Sequence, residues 1–274
     1  MNLKNECKIC LYHQIKRFLN GKNEEILDVI KNKIEKLDTN LPPPQAAIKI
    51  YEILAKNLKC DDPYKQIKQD SINLAKIISK TLRANTLSQA LKASVIGNAI
   101  DYGSQNSEDI QYALQKTMNE EFAINDIDKF KNALLRAKNI LFIADNAGEN
   151  YFDEILLRFI KQHYDITITY AVRGKPIIND LTLNDIKEHK SLFEICNVID
   201  SGVPSPGFIY DFANDEAKKY FDNASIIFAK GMGNFECLES IKDKRLFLLF
   251  KIKCSVVSEF TGQIQNKLIF LNNY

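Results

Sequence analysis

NILFIADNAGEN, residues 139–150, is the stretch on which the fold turns. Residues 139–144 are a short apolar run that stops at a polar cluster, Asp145, Asn146, Gly148 and Glu149. A strand buried on both faces of a parallel sheet reads this way. A helical pattern follows in FDEILLRFIKQH (152–163). Further strand candidates are DITITYAV (165–172), CNVID (196–200), SIIFAK (225–230), RLFLLFKI (245–252) and KLIFL (267–271), with a helical stretch at 213–222. Strands alternating with helical stretches predict an α/β fold, with a Rossmann-like, mainly parallel sheet and flanking helices.

Upstream, the texture is helical. In EEILDVIKNKIEKL (24–37), Ile26, Leu27, Ile30, Ile34 and Leu37 share one helical stripe. Pro42, Pro43 and Pro44 interrupt it, and a helix restarts after them, since proline is tolerated in a first turn. Segments 64–82 and 87–101 continue the helical period. No strand-like alternation of any length appears before residue 138. The reading divides the chain into a helical region, 1–138, and a Rossmann-like domain, 139–274. No Pro/Gly linker separates them, so they can share one core.

Composition narrows the function. The 274 residues are 45% hydrophobic and 26% charged, ordinary values for a globular protein. A net charge of +2 gives no reason to expect nucleic acid as a partner. No run of ~18 apolar residues is present, so no membrane span is expected. The N-terminal stretch lacks a signal-peptide pattern, which predicts a cytoplasmic protein with reduced cysteines. Three His cannot build a histidine-rich metal centre.

In open parallel sheets, ligands bind beyond the carboxyl ends of the strands. Three such ends carry polar clusters. The first is Asp145, Asn146 and Glu149. The second is Arg173, Asn179 and Asp180. The third is Lys230, Gly231, Gly233 and Asn234. Asp145, Asn146 and Asp180 offer hard oxygen atoms suited to Mg²⁺ or Mn²⁺. Arg173 and Lys230 offer charge for an anion, and the GMG backbone can approach it. This is equipment for phosphoryl transfer to water. Taken singly, each residue has a plainer reading: Asp145 as a helix cap, Asn179 and Asp180 as a turn or helix cap, Lys230 as a solvated strand end, Glu149 as a first-turn acid. The three ends together favour a site. GVPSPGF (202–208) has P-loop glycine spacing without the lysine, and GMGNFE lacks the third glycine of a dinucleotide motif.

At these residues the chain resembles the metal-dependent damage-control phosphatase family, once catalogued as domain of unknown function 89 (ARMT-like). The resemblance rests on IADNAGENYFDEILL, VRGKPIINDLTLND, IIFAKGMGNFECL with the later Lys253-Cys254, VIGNAIDYG (95–103) and the N-terminal ECKIC. The cysteines fit the bacterial and archaeal subgroup. The resemblance implies a phosphatase hydrolysing small phosphorylated metabolites with a divalent ion, Mg, Mn, Co or Ni. It implies Asp145, Asn146 and Asp180 as metal ligands and Lys230 as a phosphate contact. Arg173, Asn179, Gly231 and Asn234 match surrounding motif positions, and Glu149 is inferred to orient water. Pro204 stands where many relatives carry an acid. Asn98 and Asp101 are expected to border the site or to form a buried polar contact. Cys7 and Cys10 form a C-x-x-C read as buried thiols, a second metal site or a redox pair. Cys60, Cys196 and Cys237 read as core residues. The competing readings are an S-adenosylmethionine-dependent methyltransferase and a non-catalytic metal- or metabolite-binding protein.

Overall fold

Among the described residues, seven strands form one sheet: β1 (Phe122–Asn125), β2 (Asn139–Ile143), β3 (Thr167–Val172), β4 (Asn197–Asp200), β5 (Ile226–Lys230), β6 (Leu246–Lys251) and β7 (Leu268–Asn272). The computed structural model describes the backbone at residues 1–99 and 107–274, and the side chains at 1–97 and 112–274. The strand order is β1-β7-β6-β5-β2-β3-β4. All neighbours are parallel except β6 and β7. The chain runs outward from β2 to β3 and β4, then returns to β5 on the other side of β2. That reversal makes β2 and β5 the switch point of a doubly wound sheet, where a crevice opens.

The helices are α1 (Asn5–Leu19), α2 (Glu24–Glu35), α3 (Pro43–Leu58), α4 (Lys65–Ile78), α5 (Leu87–Ala99), α6 (Ser107–Asn119) and α7 (Ile127–Leu134). They continue with α8 (Glu149–His163), α9 (Leu183–Ile186), α10 (Lys190–Phe193), α11 (Asp215–Asn223), α12 (Met232–Leu238) and α13 (Ser255–Thr261). Helix α3 does restart at the prolines, with Pro43 in its first turn.

The period of two along each strand sends alternate side chains to opposite faces. On one face Ile140, Phe142, Ile168, Tyr170, Phe228 and Phe270 pack under Leu91, Val95, Phe130, Leu156 and Leu157. Tyr170, Phe142 and Phe228 stack in a row across three strands, with centroids 5.1 and 4.9 Å apart. On the other face Leu141, Ile143, Ala229 and Leu248 meet Ala217, Phe221, Phe235 and Val257. A further cluster joins α1, α2 and α3 through Leu11, Ile15, Ile30, Ile34, Ile50 and Leu54, and it takes in Ile177 from the loop after β3.

The absence of strands before residue 138 is corrected by β1. FAIN pairs with β7 at the sheet edge, and Phe122 packs against Phe270. Four residues with one buried side chain on an edge give too short an alternation to read. The first 138 residues also supply α4, α5 and α7 to the sheet's own core.

Candidate active site

The end of β2 and the loop after β3 are joined by backbone hydrogen bonds. Ala147 N–H donates to Asn179 O (2.8 Å), Leu181 N–H to Asp145 O (2.9 Å) and Arg173 N–H to Leu181 O (2.9 Å). Asn146 and Asp180 form an isolated antiparallel bridge. Side chains some 35 positions apart in sequence are thereby held over the switch point. The third strand end closes on them. Gly231 has φ +84°, and a Cβ there would overlap the Asp145 carboxylate. Only glycine lets β5 turn into α12 with Asp145 lying on its backbone.

Asp145, Asn146 and Asp180 therefore converge, as their motifs predict. Asn146 Nδ2 donates to Asp145 Oδ2 and to Glu149 Oε1, both at 2.8 Å. Arg173, 1% exposed, donates from Nε to Asp180 Oδ2 at 2.7 Å. Its Nη2 is buried without a hydrogen-bond partner among the described residues and lies 3.8 Å from Asp145 Oδ1. Burial, then the charges of Glu149 and Asp180, hold the Asp145 carboxyl well above its usual range, against Arg173 and Lys253. Burial pushes Asp180 up to about 6, again opposed by Arg173. The helix-cap readings of Asp145 and Asp180 fail here, while Asn179 lies in a turn and Glu149 is an acid in the first turn of α8, as the plainer readings expect. Gly148, rather than Asp145, occupies the N-cap position of α8, and Thr182, rather than Asp180, caps α9.

Glu149 and Lys230 are both fully buried, so neither is a solvated charge. Lys230 Nζ donates to Ser94 O (2.7 Å), Asp153 Oδ1 (2.8 Å) and Glu149 Oε2 (3.0 Å). An ammonium has three donors, and these contacts use all three. Burial acts to lower the Lys230 pKa, but Asp153 and Glu149 hold it above its ordinary value. Asp153 is itself completed by Ser94 Oγ–H (2.6 Å) and Tyr170 O–H (2.7 Å). Sequence reading missed Asp153, Ser94 and Tyr170. Asp153 lies one helical turn beyond Glu149, and that i, i+4 spacing was the available signal.

Other named residues have distinct positions. Asn234 accepts from Phe208 N–H at 2.7 Å and donates to the carbonyls of Ala144 and Lys230, so it clamps two strand ends and the 205–208 loop together. Gly233 packs against Pro206 and Gly207, where a Cβ would clash with the Pro206 carbonyl. Asn179 gives its carbonyl to the loop pairing and lines the cavity. Pro204 lines a separate cavity with Lys56, Lys59 and Lys175. The Asn98 side chain and Asp101 lie outside the described residues. Gly148 N–H donates to Asn150 Oδ1, and Asn150 Nδ2 meets His189 Nδ1, whose Nε2 rests on Glu154. That chain braces the turn into α8 from behind.

Asp145, Asn146, Asn179 and Asp180 face a cavity of about 540 Å³. Its far wall is α1, with Cys7, Cys10 and Gln14, together with Glu236, Lys253 and Cys254. Cys7 and Cys254 are half-buried and burial raises their thiols, whereas Cys10 is exposed, against the buried-thiol reading. Among the described residues no group of three or more His, Cys, Asp or Glu is arranged to hold a metal. Cys60 is exposed rather than in the core, whereas Cys196 is buried and Cys237 half-buried.

The family model of the damage-control phosphatase ARMT1-like domain matches residues 3–269. Damage-control phosphatase PH1575 of Pyrococcus horikoshii is 31% identical over 286 residues, covering 100% of this chain and 99% of that protein. A damage-control phosphatase of Archaeoglobus fulgidus is 30% identical over 224 residues, covering 78% of this chain and 75% of its own. The crystal structure of the Pyrococcus horikoshii protein superposes with a TM-score of 0.92 over the full length of both chains.

Proposed function

The chain belongs to the damage-control phosphatase ARMT1-like domain family, and on that premise we propose that it hydrolyses small phosphomonoesters with a divalent metal ion held by Asp145, Asn146 and Asp180. The observation that carries this reading is the crowding of buried oxygen donors. Asp145 and Asp180 sit together with Glu149 beside them, and their carboxyl groups are held above the usual range. A cation there would relieve the crowding, and two carboxylates with an amide oxygen are the hard donors that Mg²⁺ or Mn²⁺ takes. Co²⁺ and Ni²⁺ are also admissible on oxygen ligands, and affinity alone favours them.

When bound, the metal supplies Lewis-acid stabilisation of the phosphoryl group and a more acidic water. The chain's own residues do the rest. Arg173 is pinned to Asp180 through Nε and offers Nη2 to a phosphoryl oxygen. Glu149, gripped by Asn146 and Lys230, orients the attacking water. Lys230 holds Glu149 in place through the bond to its Oε2. It contributes to the phosphate site through position and field, since its three donors are occupied. Gly231 lets the backbone lie against the Asp145 carboxylate, and Gly233 lets it lie against the Pro206 carbonyl.

The test is phosphate release from p-nitrophenyl phosphate and a panel of sugar phosphates, using metal-stripped protein with Mg²⁺, Mn²⁺, Co²⁺ or Ni²⁺ added back. Asp145→Ala and Asp180→Ala are expected to abolish turnover while the protein stays folded. Unchanged turnover in both variants sinks the assignment.

A further inference from the structure

The cavity carries an acid that the proposed chemistry does not use. Glu236 lines it from α12, one helical turn beyond Met232, and is 8% exposed. Among the described residues its carboxylate has no hydrogen-bond donor and no ion-pair partner. The Met1 ammonium acts on it, but that group is taken by Glu239 Oε1 at 2.6 Å and by the Glu236 backbone carbonyl at 3.0 Å. Lys253, the basic side chain of the lining, favours the charged form of Asp145 instead. Cys7, Cys10 and Cys254 feel the charge of Glu236, but a thiol is a weak donor. Among the described residues these sulfurs are not arranged with it to hold a metal ion.

A buried charge without a partner is costly, and a ligand cation would remove that cost. Apolar side chains, Met232, Val256, Pro43 and Ala47, make up much of the same lining. An ion pair is stronger in such low-dielectric surroundings than in water. Glu6, exposed on α1, adds a second negative charge to the cavity. The position of Glu236 also suits a ligand with two ends. Gly231 rests on the Asp145 carboxylate, and Glu236 lies about one and a half helical turns further on, roughly 7 Å along α12. A small metabolite with phosphate at one end and a cation at the other spans that length.

We infer that Glu236 is the specificity-determining acid of this site, and that the preferred substrate is a phosphomonoester whose non-phosphate portion carries a protonated amine. This rests on the phosphatase reading above and names its substrate class. The amine supplies the counter-charge that the chain itself does not give Glu236. A hydroxyl-bearing ester of the same length can bond to Glu236 without neutralising it, so it binds less well. An ester with a carboxylate at that end is repelled by Glu236 and Glu6.

The experiment measures kcat/KM for phosphate release by the Mn²⁺-loaded protein from ω-aminoalkyl phosphates of two to six carbons and from the matching ω-hydroxyalkyl and ω-carboxyalkyl phosphates. At pH 8 Glu236 is mainly ionised, since burial pushes its carboxyl up to about 7, and a primary amine is protonated. At the best chain length the amine is expected to exceed the hydroxyl ester by ~10-fold or more, the size of one charge-assisted hydrogen bond, with the carboxylate ester below both. In Glu236→Gln the amine preference should disappear through a rise in KM for the amine. Glu236→Asp keeps the charge on a shorter arm, so it should retain a preference and shift it to a longer amine. Each ratio is taken within one protein, so a change in overall activity leaves it readable. A native chain without the amine preference overturns the inference, as does a preference of equal size in Glu236→Gln. Release from all the esters alike removes this inference and leaves the phosphatase reading standing. No metal-dependent release from any ester overturns the phosphatase reading, and this inference falls with it.

Discussion

At the scale of single residues, the site is governed by which buried charges have partners. Lys230 pairs with Glu149 and Asp153, and all three side chains are fully buried. Removing one member of such a set strands the others. Lys230→Met should therefore cost about 3–5 kcal/mol in urea unfolding. A loss below ~1 kcal/mol, the range of an exposed pair, would show that the triad is solvated. Glu236 makes a second, opposite prediction. Burial pushes its carboxyl up from 4.5 to about 7. Between those values the folded state binds more protons than the unfolded one, so stability falls as pH rises through that window. Glu236→Gln should match the native chain near pH 4 and exceed it in melting temperature above pH 7. A constant difference across pH would refute the burial account. The ligand-type residues were legible at this scale, because Asp145, Asn146, Asp180 and Arg173 each stand at a strand end in a recognisable pattern. The state of Lys230 was not. A lysine beside GMG reads as a phosphate contact until Ser94 and Asp153, 136 and 77 positions away, are seen to fill its donors.

At the scale of elements, the close approach of α5 to α8 positions the acids. Gly97 is the point of contact, and a Cβ there would overlap Glu149 Cγ. Glu149 cannot swing aside without breaking its bonds to Asn146 and Lys230. Gly97→Ala should cost about 1–3 kcal/mol, as overpacking does in a filled core, with a marked loss of turnover. Chemical denaturation and the p-nitrophenyl phosphate assay check both, and a variant that keeps its stability and activity would place slack at this contact. Gly148 does the same for α4. It has φ +94°, and a Cβ there would meet Ser71 O at 2.9 Å. Strands β2 to β7 and most helices could be read from periodicity, since long apolar runs and amphipathic stripes are local properties. Strand β1 could not, because its place is set by the β7 edge it joins 146 residues later, Phe122 opposite Leu268.

At the scale of the whole molecule, the cavity lies between the sheet's carboxyl end and the layer of α1 and α3. Ile177, 4% exposed, belongs to the core of that layer yet sits three residues before Asp180. The helical layer therefore grips the loop that carries a proposed ligand. Ile177→Ala should cost about 2–5 kcal/mol, in line with other large-to-small core changes. It should also weaken Mn²⁺ binding, because the Ile177 carbonyl accepts Asp180 N–H at 3.0 Å and a shifted loop moves that carboxylate. Unaltered Mn²⁺ affinity would mean that the loop keeps its shape without the layer. That α1 forms one wall of the cavity was beyond sequence reading. C-x-x-C announces two cysteines on a helix, but nothing local says that Cys254 and Asp180 line the same space.

The backbone pairing between the turn after β2 and the loop after β3 has a consequence for exchange with solvent. The amides of Ala147, Leu181 and Arg173 lie outside regular secondary structure, where protons usually leave quickly. Each is nonetheless bonded across the two loops. Deuterium should enter these three positions as slowly as it enters the central strands, because they open only when the larger unit opens.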